Sequence, residues 1–192
     1  DFDDNNLHLM SYSIPINKMM TLDELKKHII TDKSRPNSIP YSTSYYNPNW
    51  AFCMEYNTFK SLQEGSYHVE IDSSLESGEL IYGEAFINNN AKKTVLISSY
   101  ICHPSMANDS LSGVVTAIEL YKEIIKIKDS KYNYRFLFAP ETIGTICFLN
   151  NNKDNLKESI EYGIVATCLG DKGSFTFKKS RKPNSSLNKI VE

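Results

Sequence analysis

The second half of the chain alternates between runs with the spacing of buried strands and runs with the spacing of helices. Thr94–Tyr100 is an apolar run of the kind that is buried on both faces of a parallel sheet. Apolar residues then recur at helical spacing over residues 112–126. A second strand (134–138), a short helix (142–149) and a third strand (163–168) follow. This alternation predicts the α/β class, with a mostly parallel sheet flanked by helices.

The first half of the chain has a different pattern. Its short runs alternate apolar and polar residues, as in residues 67–72, which is typical of strands. The exception is a short helix that begins at Thr21, where Thr21 and Glu24 have the spacing of a capping box. We therefore predict a small β-rich (α+β) domain over residues 1–92 and a partial α/β domain over residues 93–192.

Composition and charge exclude several classes of protein. Hydrophobic residues make up 41% of the 192 residues and charged residues 23%, which is enough to bury a core. The net charge of −2 argues against a nucleic-acid partner, which needs a basic face. No apolar run reaches the ~18 residues of a membrane-spanning helix, and the first residues lack a signal-peptide pattern. The four cysteines are scattered along the sequence without a paired spacing, which is typical of reduced thiols in a cytoplasmic protein. We therefore expect a cytoplasmic protein, and the lack of a long apolar run predicts that it has no membrane partner.

The first group of candidate functional residues follows the first strand of the α/β half. His103 and Asp109 lie six residues apart in one strand-to-helix loop. A neutral imidazole and an ionised carboxylate are both good ligands for Zn²⁺. The alternative is that Asp109 caps the following helix while His103 packs on the loop. Taken alone, this loop favours the alternative.

The second group follows the next strand, where Glu141 comes directly after Pro140. Ligands of such sheets bind beyond the carboxyl ends of the strands, and parallel strands lie ~4.8 Å apart. Glu141 can therefore share a pocket with the loop that carries His103 and Asp109. The alternative is a glutamate at a helix start, where the helix dipole favours it. Two carboxylates and one histidine at the same predicted edge together favour a site.

Two simpler catalytic arrangements are excluded. Cys102 and His103 are adjacent on an extended segment and point to opposite faces, which disfavours a nucleophile–base pair. The sequence also contains no GxGxxG, GxxxxGK[ST] or GxSxG pattern, which removes the simplest nucleotide-binding and serine-hydrolase interpretations.

Two motifs carry a resemblance to a known family. The sequence ICHPSMAND at residues 101–109 and APETIG at residues 139–144 resemble a bacterial family of aminopeptidase-like proteins. That family is often encoded beside polysaccharide-biosynthesis genes, and it carries a β-rich domain inserted into a zinc-aminopeptidase-like α/β domain. Stretches within residues 5–18 and 39–46 resemble the inserted domain, and residues 165–171 also fit, so the resemblance spans nearly the whole chain.

The resemblance implies roles for three residues. Within the wider superfamily of zinc-dependent exopeptidases, which resemble bacterial leucyl aminopeptidase, the first metal-binding histidine falls on His103. The aspartate that bridges two zinc ions falls on Asp109, and the catalytic glutamate falls on Glu141. The implied cofactor is zinc.

The sequence also departs from the superfamily pattern. A second glutamate that binds metal is replaced by Thr142, and a later aspartate ligand aligns with Thr167, with Asp171 only a weak substitute. The last histidine ligand of the superfamily should come from beyond residue 192. We therefore expect one zinc ion instead of two, and a chain that is a fragment of the complete fold.

These observations predict a zinc-dependent aminopeptidase-like hydrolase of peptide or amide bonds. The alternatives are a catalytically degenerate scaffold that binds a glycan or a protein, and an amidase that deacetylates a sugar. The expected substrate is a small peptide or amide, including a glycan-linked one, and open sheet edges predict a homo-oligomer or a companion fragment. Aromatic residues of the first half could stack on sugar rings, namely Tyr45, Tyr46 and Trp50, but aromatic residues in a compact β-rich domain more often lie in the core or an interface.

Overall fold

The computed structural model describes residues 6–45, 47–103 and 106–191, in two compact units. The units are Asp1–Gly78 and Glu79–Glu192. The sequence places the division at residue 92 instead. The difference arises because a strand at Gly83–Ile87 pairs with Asn133–Ala139 of the second unit, and so belongs to the α/β sheet.

The first unit contains two small two-stranded sheets. Strand β1 (Ile16–Thr21) is antiparallel to β4 (Ser66–Ile71), and β2 (Ile29–Ile30) is parallel to β3 (Phe52–Cys53). Its helices are α1 (Leu22–Leu25), α2 (Tyr56–Ser61) and two 3₁₀ turns, Asn6–His8 and Lys26–His28.

The predicted capping box starts helix α1. The Glu24 amide donates to Thr21 Oγ1 at 3.3 Å, and the Thr21 amide donates to Glu24 Oε2 at 2.9 Å. These bonds satisfy amide groups that a helix start otherwise leaves without a backbone partner. The capping prediction made from the spacing of the two residues is confirmed.

The aromatic residues proposed to stack on sugars have different environments. Trp50 is only 6% exposed and lies in the core with Met20, Val69 and Ile71, stacked on His28 at 3.8 Å between ring centroids. A buried ring cannot stack on a sugar, so the core alternative is the correct one for Trp50. Tyr45 is 62% exposed. Tyr46 lies outside the described residues.

The second unit is a mixed α/β structure, in agreement with the predicted class. Strand β5 (Gly83–Ile87) is antiparallel to β7 (Asn133–Ala139). Strand β6 (Thr94–Tyr100) is parallel to β7 on one side and to β8 (Ile160–Val165) on the other. The strand order is therefore β5-β7-β6-β8, with β6 between the two strands that run parallel to it.

Two helices pack against this sheet, and a short third helix follows. Helix α3 (Leu111–Ile124) connects β6 to β7, α4 (Ile143–Ser159) connects β7 to β8, and α5 is Ser186–Val191. Phe136 of β7 packs with residues of α3, whereas the adjacent Leu137 packs with residues of α4. Since successive strand residues point to opposite faces, the two long helices lie on opposite faces of β7.

Helix α4 is ten residues longer at its end than the sequence predicts. Residues 150–152 are three asparagines, which form loops more readily than helices and which we interpret from the sequence as a polar loop. They lie inside α4, because Phe148 and Leu156 on either side of them are buried in one cluster. Packing on the sheet therefore overrides the local preference of asparagine.

In the described part of the chain, every helix is too short or too polar to cross a membrane.

Candidate functional site

The carboxyl ends of β6 and β7 lie side by side. Tyr100, the last residue of β6, pairs with Ala139, the last residue of β7. One residue later the Ile101 amide donates to the Ala139 carbonyl at 3.2 Å, so the two chains remain adjacent beyond the sheet. The Glu141 amide then donates to Cys102 Sγ at 3.2 Å. Glu141 therefore lies against the loop that follows β6, as the sequence predicts.

Tyr100, the last residue of β6, is affected electrostatically by both predicted carboxylates. Partial burial raises the pKa of the Tyr100 hydroxyl, and the negative charges of Glu141 and Asp109 raise it further. The pKa of the Cys102 thiol is also raised, first by burial and also by the same two carboxylates. Asp109 and Glu141 therefore both raise the pKa values of the same two side chains. Both carboxylates are exposed.

Asp109 is held by a residue from the end of a third strand. Thr167, which follows β8, donates from its hydroxyl to Asp109 Oδ1 at 3.3 Å. Ser110 donates to the Thr167 oxygen at 3.3 Å, and the Ser110 and Ser99 hydroxyls are 3.3 Å apart. The position where the resemblance expects an aspartate ligand therefore carries a hydroxyl that orients Asp109.

A second set of hydrogen bonds joins the same two loops. Asn108 Oδ1 accepts from the Gly170 amide at 2.7 Å and from the Ser112 hydroxyl at 3.0 Å. Asn108 Nδ2 donates to Asp171 Oδ2 at 3.2 Å, and the other oxygen of Asp171 accepts from the Gly173 amide at 2.6 Å. Both oxygens of Asp171 therefore accept hydrogen bonds within the protein, which joins Asp171 to Asn108 and to the Gly173 amide.

Gly113 allows helix α3 to begin close to the end of β8. A Cβ at Gly113 would lie 2.7 Å from Ser99 Oγ and would collide with the carbonyl oxygen of Ala166. Ser99 itself donates to that carbonyl at 3.0 Å. The absence of a side chain at this position therefore permits the contact between the two loops of the site.

His103 lies in the loop between β6 and α3, and it is half-buried at a bend. The Cys102 amide donates to Met106 Sδ at 3.4 Å, so this loop folds back on itself. Residues 104 and 105 lie outside the described part of the chain. Coordination of one ion by His103 and Asp109 together stays a prediction.

The donor set suits zinc in kind but is incomplete in number. Imidazole and carboxylate groups are ordinary zinc ligands, and a catalytic zinc normally has three protein ligands. Among the residues that the structure describes, no group of three or more His, Cys, Asp or Glu side chains is arranged to hold a metal ion.

A cavity of about 470 Å³ lies beside the site, between helix α4 and the sheet. Tyr100, Glu141 and Thr142 contribute polar groups to its wall. The remaining wall is mostly apolar and includes Leu96, Leu137, Ile146, Leu149, Ile164 and Val165. The cavity thus combines an apolar wall with a few polar groups, as small-molecule sites commonly do.

Sequence reasoning missed the side chains that hold the site together, namely Cys102 as an acceptor, Asn108, Ser112 and the hydroxyl of Thr167. The local sequence pattern indicates these roles only weakly, because each side chain contacts a segment that is distant in sequence. Asn108 and Ser112 stand on either side of Asp109, which marks the loop as polar without indicating its partner.

Comparison with known proteins gives two similar proteins from Clostridium acetobutylicum. One is named "Putative polysaccharide biosynthesis protein with aminopeptidase-like domain"; it is 50% identical over all 192 residues of this chain, which span 44% of that protein. The other is the crystal structure of a "putative peptidase", also 50% identical, with a TM-score of 0.94 over 100% of this chain and 45% of that one.

These comparisons confirm the resemblance to aminopeptidase-like proteins. The chain spans less than half the length of either relative. A family model described as "Domain of unknown function (DUF4910)" matches residues 7–192. The chain therefore belongs to the DUF4910 family.

Proposed function

We propose that this chain forms part of a zinc-dependent, aminopeptidase-like hydrolase of peptide or amide bonds. The observation that carries the proposal is the position of Glu141 against the loop that carries His103 and Asp109, at the carboxyl ends of the parallel strands β6 and β7. The names of both relatives support the proposal, since one is named for an aminopeptidase-like domain and the other is called a "putative peptidase".

In this proposal His103 and Asp109 are ligands of one zinc ion, and ligands from the rest of the protein complete the site. Zinc, when bound, polarises the scissile carbonyl and acidifies water. Thr142 and Thr167, which stand where the resemblance expects further metal ligands, support a single ion, and the Thr167 hydroxyl donates to Asp109 Oδ1. This hydrogen bond orients the carboxylate of Asp109.

Glu141 is the general base in this proposal. Its Oε atoms take a proton from water and then pass it to the leaving amine. The side chain suits this role because it is exposed and lies on the wall of the cavity beside the site. Its backbone is fixed, since the Ile143 amide donates to the Glu141 carbonyl at 2.7 Å.

A non-catalytic binding scaffold is the second candidate. Thr167 at the position of a metal ligand, and its bond to Asp109, favour this candidate. The two functions differ in metal content. Zinc retained by the purified full-length protein supports the hydrolase, whereas a folded full-length protein without zinc supports the scaffold.

Zinc binding to the 192-residue chain is expected to be at least about tenfold weaker than binding to the full-length protein, because the chain supplies only two of the three protein ligands that a catalytic zinc normally has. Calorimetric titration of both proteins measures the difference. Asp109→Asn should weaken binding further. Asp154→Asn, which removes an exposed carboxylate from helix α4, is the matched control and should leave binding unchanged. Tight one-to-one binding by the short chain, lost in Asp171→Asn, would show that Asp171 is a ligand after all.

A further inference from the structure

A sulfur–amide hydrogen bond joins the two strand ends that carry the site. The Glu141 backbone amide donates to Cys102 Sγ at 3.2 Å, across 39 residues of sequence. Building on the proposed function, in which Glu141 is the base, we propose that Cys102 is a positioning residue that fixes Glu141 by accepting its amide hydrogen.

The turn around Glu141 explains why one acceptor is important there. Strand β7 ends at Ala139 and helix α4 begins at Ile143, so Glu141 lies in a turn between two regular elements. The carbonyl of Glu141 accepts from the Ile143 amide, and the Pro140 carbonyl accepts from the Gly144 amide at 3.0 Å. These two bonds tie the turn to α4. The bond to Cys102 ties it to the β6 end, where Asp109 and Tyr100 lie.

Cys102 is itself held in position. Its backbone amide donates to Met106 Sδ at 3.4 Å, which fixes the Cys102 backbone within the loop. The preceding residue, Ile101, donates to the Ala139 carbonyl and so continues the pairing with β7. The sulfur atom therefore projects from a supported backbone, and its loss should affect the Glu141 turn more than the rest of the loop.

The chain offers a matched control for a cysteine substitution. Cys147 is also an exposed free cysteine, and it lies on helix α4 four residues after Ile143. Cys147→Ala removes a thiol from the same unit and leaves the contact between Cys102 and Glu141 intact. Cys102→Ser provides the conservative variant, because the hydroxyl keeps an acceptor at nearly the same place.

Amide hydrogen exchange of Glu141 in the 192-residue chain, followed by NMR, tests the contact without any need for activity. In Cys102→Ala the Glu141 amide should exchange about fivefold faster, the factor expected from one hydrogen bond. Cys102→Ser should restore most of the protection, and Cys147→Ala should match the wild type. An unchanged exchange rate in Cys102→Ala would overturn the proposal.

Kinetics of the full-length protein with zinc and leucine p-nitroanilide, a chromogenic amide, test the consequence for Glu141. Cys102→Ala should lower kcat about fivefold with KM unchanged, since the loss concerns the base and not substrate binding. Cys102→Ser should recover kcat. Equal kcat in Cys102→Ala and the wild type would contradict the proposal. A wild-type protein without turnover would instead contradict the proposed hydrolase, and the exchange experiment would then decide the positioning role alone.

Discussion

Glu141→Gln is expected to lower turnover of the full-length protein by about 10²- to 10⁴-fold, the contribution typical of a positioned general base. Glutamine has nearly the shape of glutamate, so the cavity wall and the backbone bonds of the turn should persist. Its amide cannot accept the proton from water. Bound zinc should remain, because the proposed ligands are His103 and Asp109.

The matched control is Glu158→Gln, which removes an exposed carboxylate near the far end of helix α4, the helix that follows Glu141. It should retain wild-type turnover. Metal analysis of each variant separates the possible roles of Glu141. Loss of zinc in Glu141→Gln would identify this residue as a ligand, and full turnover in that variant would show that the base lies elsewhere.

Gly113→Ala is expected to reduce the free energy of unfolding of the 192-residue chain by about 3 kcal/mol, at the upper end of the usual cost of overpacking. The added Cβ would collide with the Ala166 carbonyl, which is backbone, and crowd Ser99 Oγ, which is buried and hydrogen-bonded to that same carbonyl. Urea denaturation measures the change.

Gly163→Ala is the matched control for Gly113→Ala. Gly163 lies in β8 of the same sheet, and a Cβ there would meet no atom within 4 Å. This variant should be as stable as the wild type or slightly more stable, since glycine is unfavourable within a strand. Equal stability of the two variants would show that the start of α3 can move away from the end of β8 at little cost.

Local sequence pattern predicts the two strands that frame the site. The apolar run of β6 predicts a buried strand, and the predicted bounds Thr94–Tyr100 agree with the structure. The position of Glu141 beyond the end of β7 follows from the same reasoning, because ligands of parallel sheets bind at carboxyl ends. These features depend on neighbours in sequence, which the pattern records.

The features that the sequence does not predict depend on distant partners. Strand β5 belongs to the second unit because it pairs with β7, about 50 residues away, and nothing in its own pattern identifies that partner. Burial of Trp50 depends on the packing of the first unit's core. The bond from Thr167 to Asp109 spans 58 residues, and it exists because β8 lies beside β6.

The most direct test of the proposed zinc site is anomalous diffraction at the zinc absorption edge from crystals of the full-length protein. The proposal predicts one anomalous peak at the carboxyl ends of β6 and β7, within ~2.2 Å of a His103 nitrogen and an Asp109 oxygen. Glu141 should face this peak without coordinating it. A peak at another position, two peaks bridged by Asp109, or a zinc-soaked crystal without a peak would contradict the single-zinc site proposed for this protein.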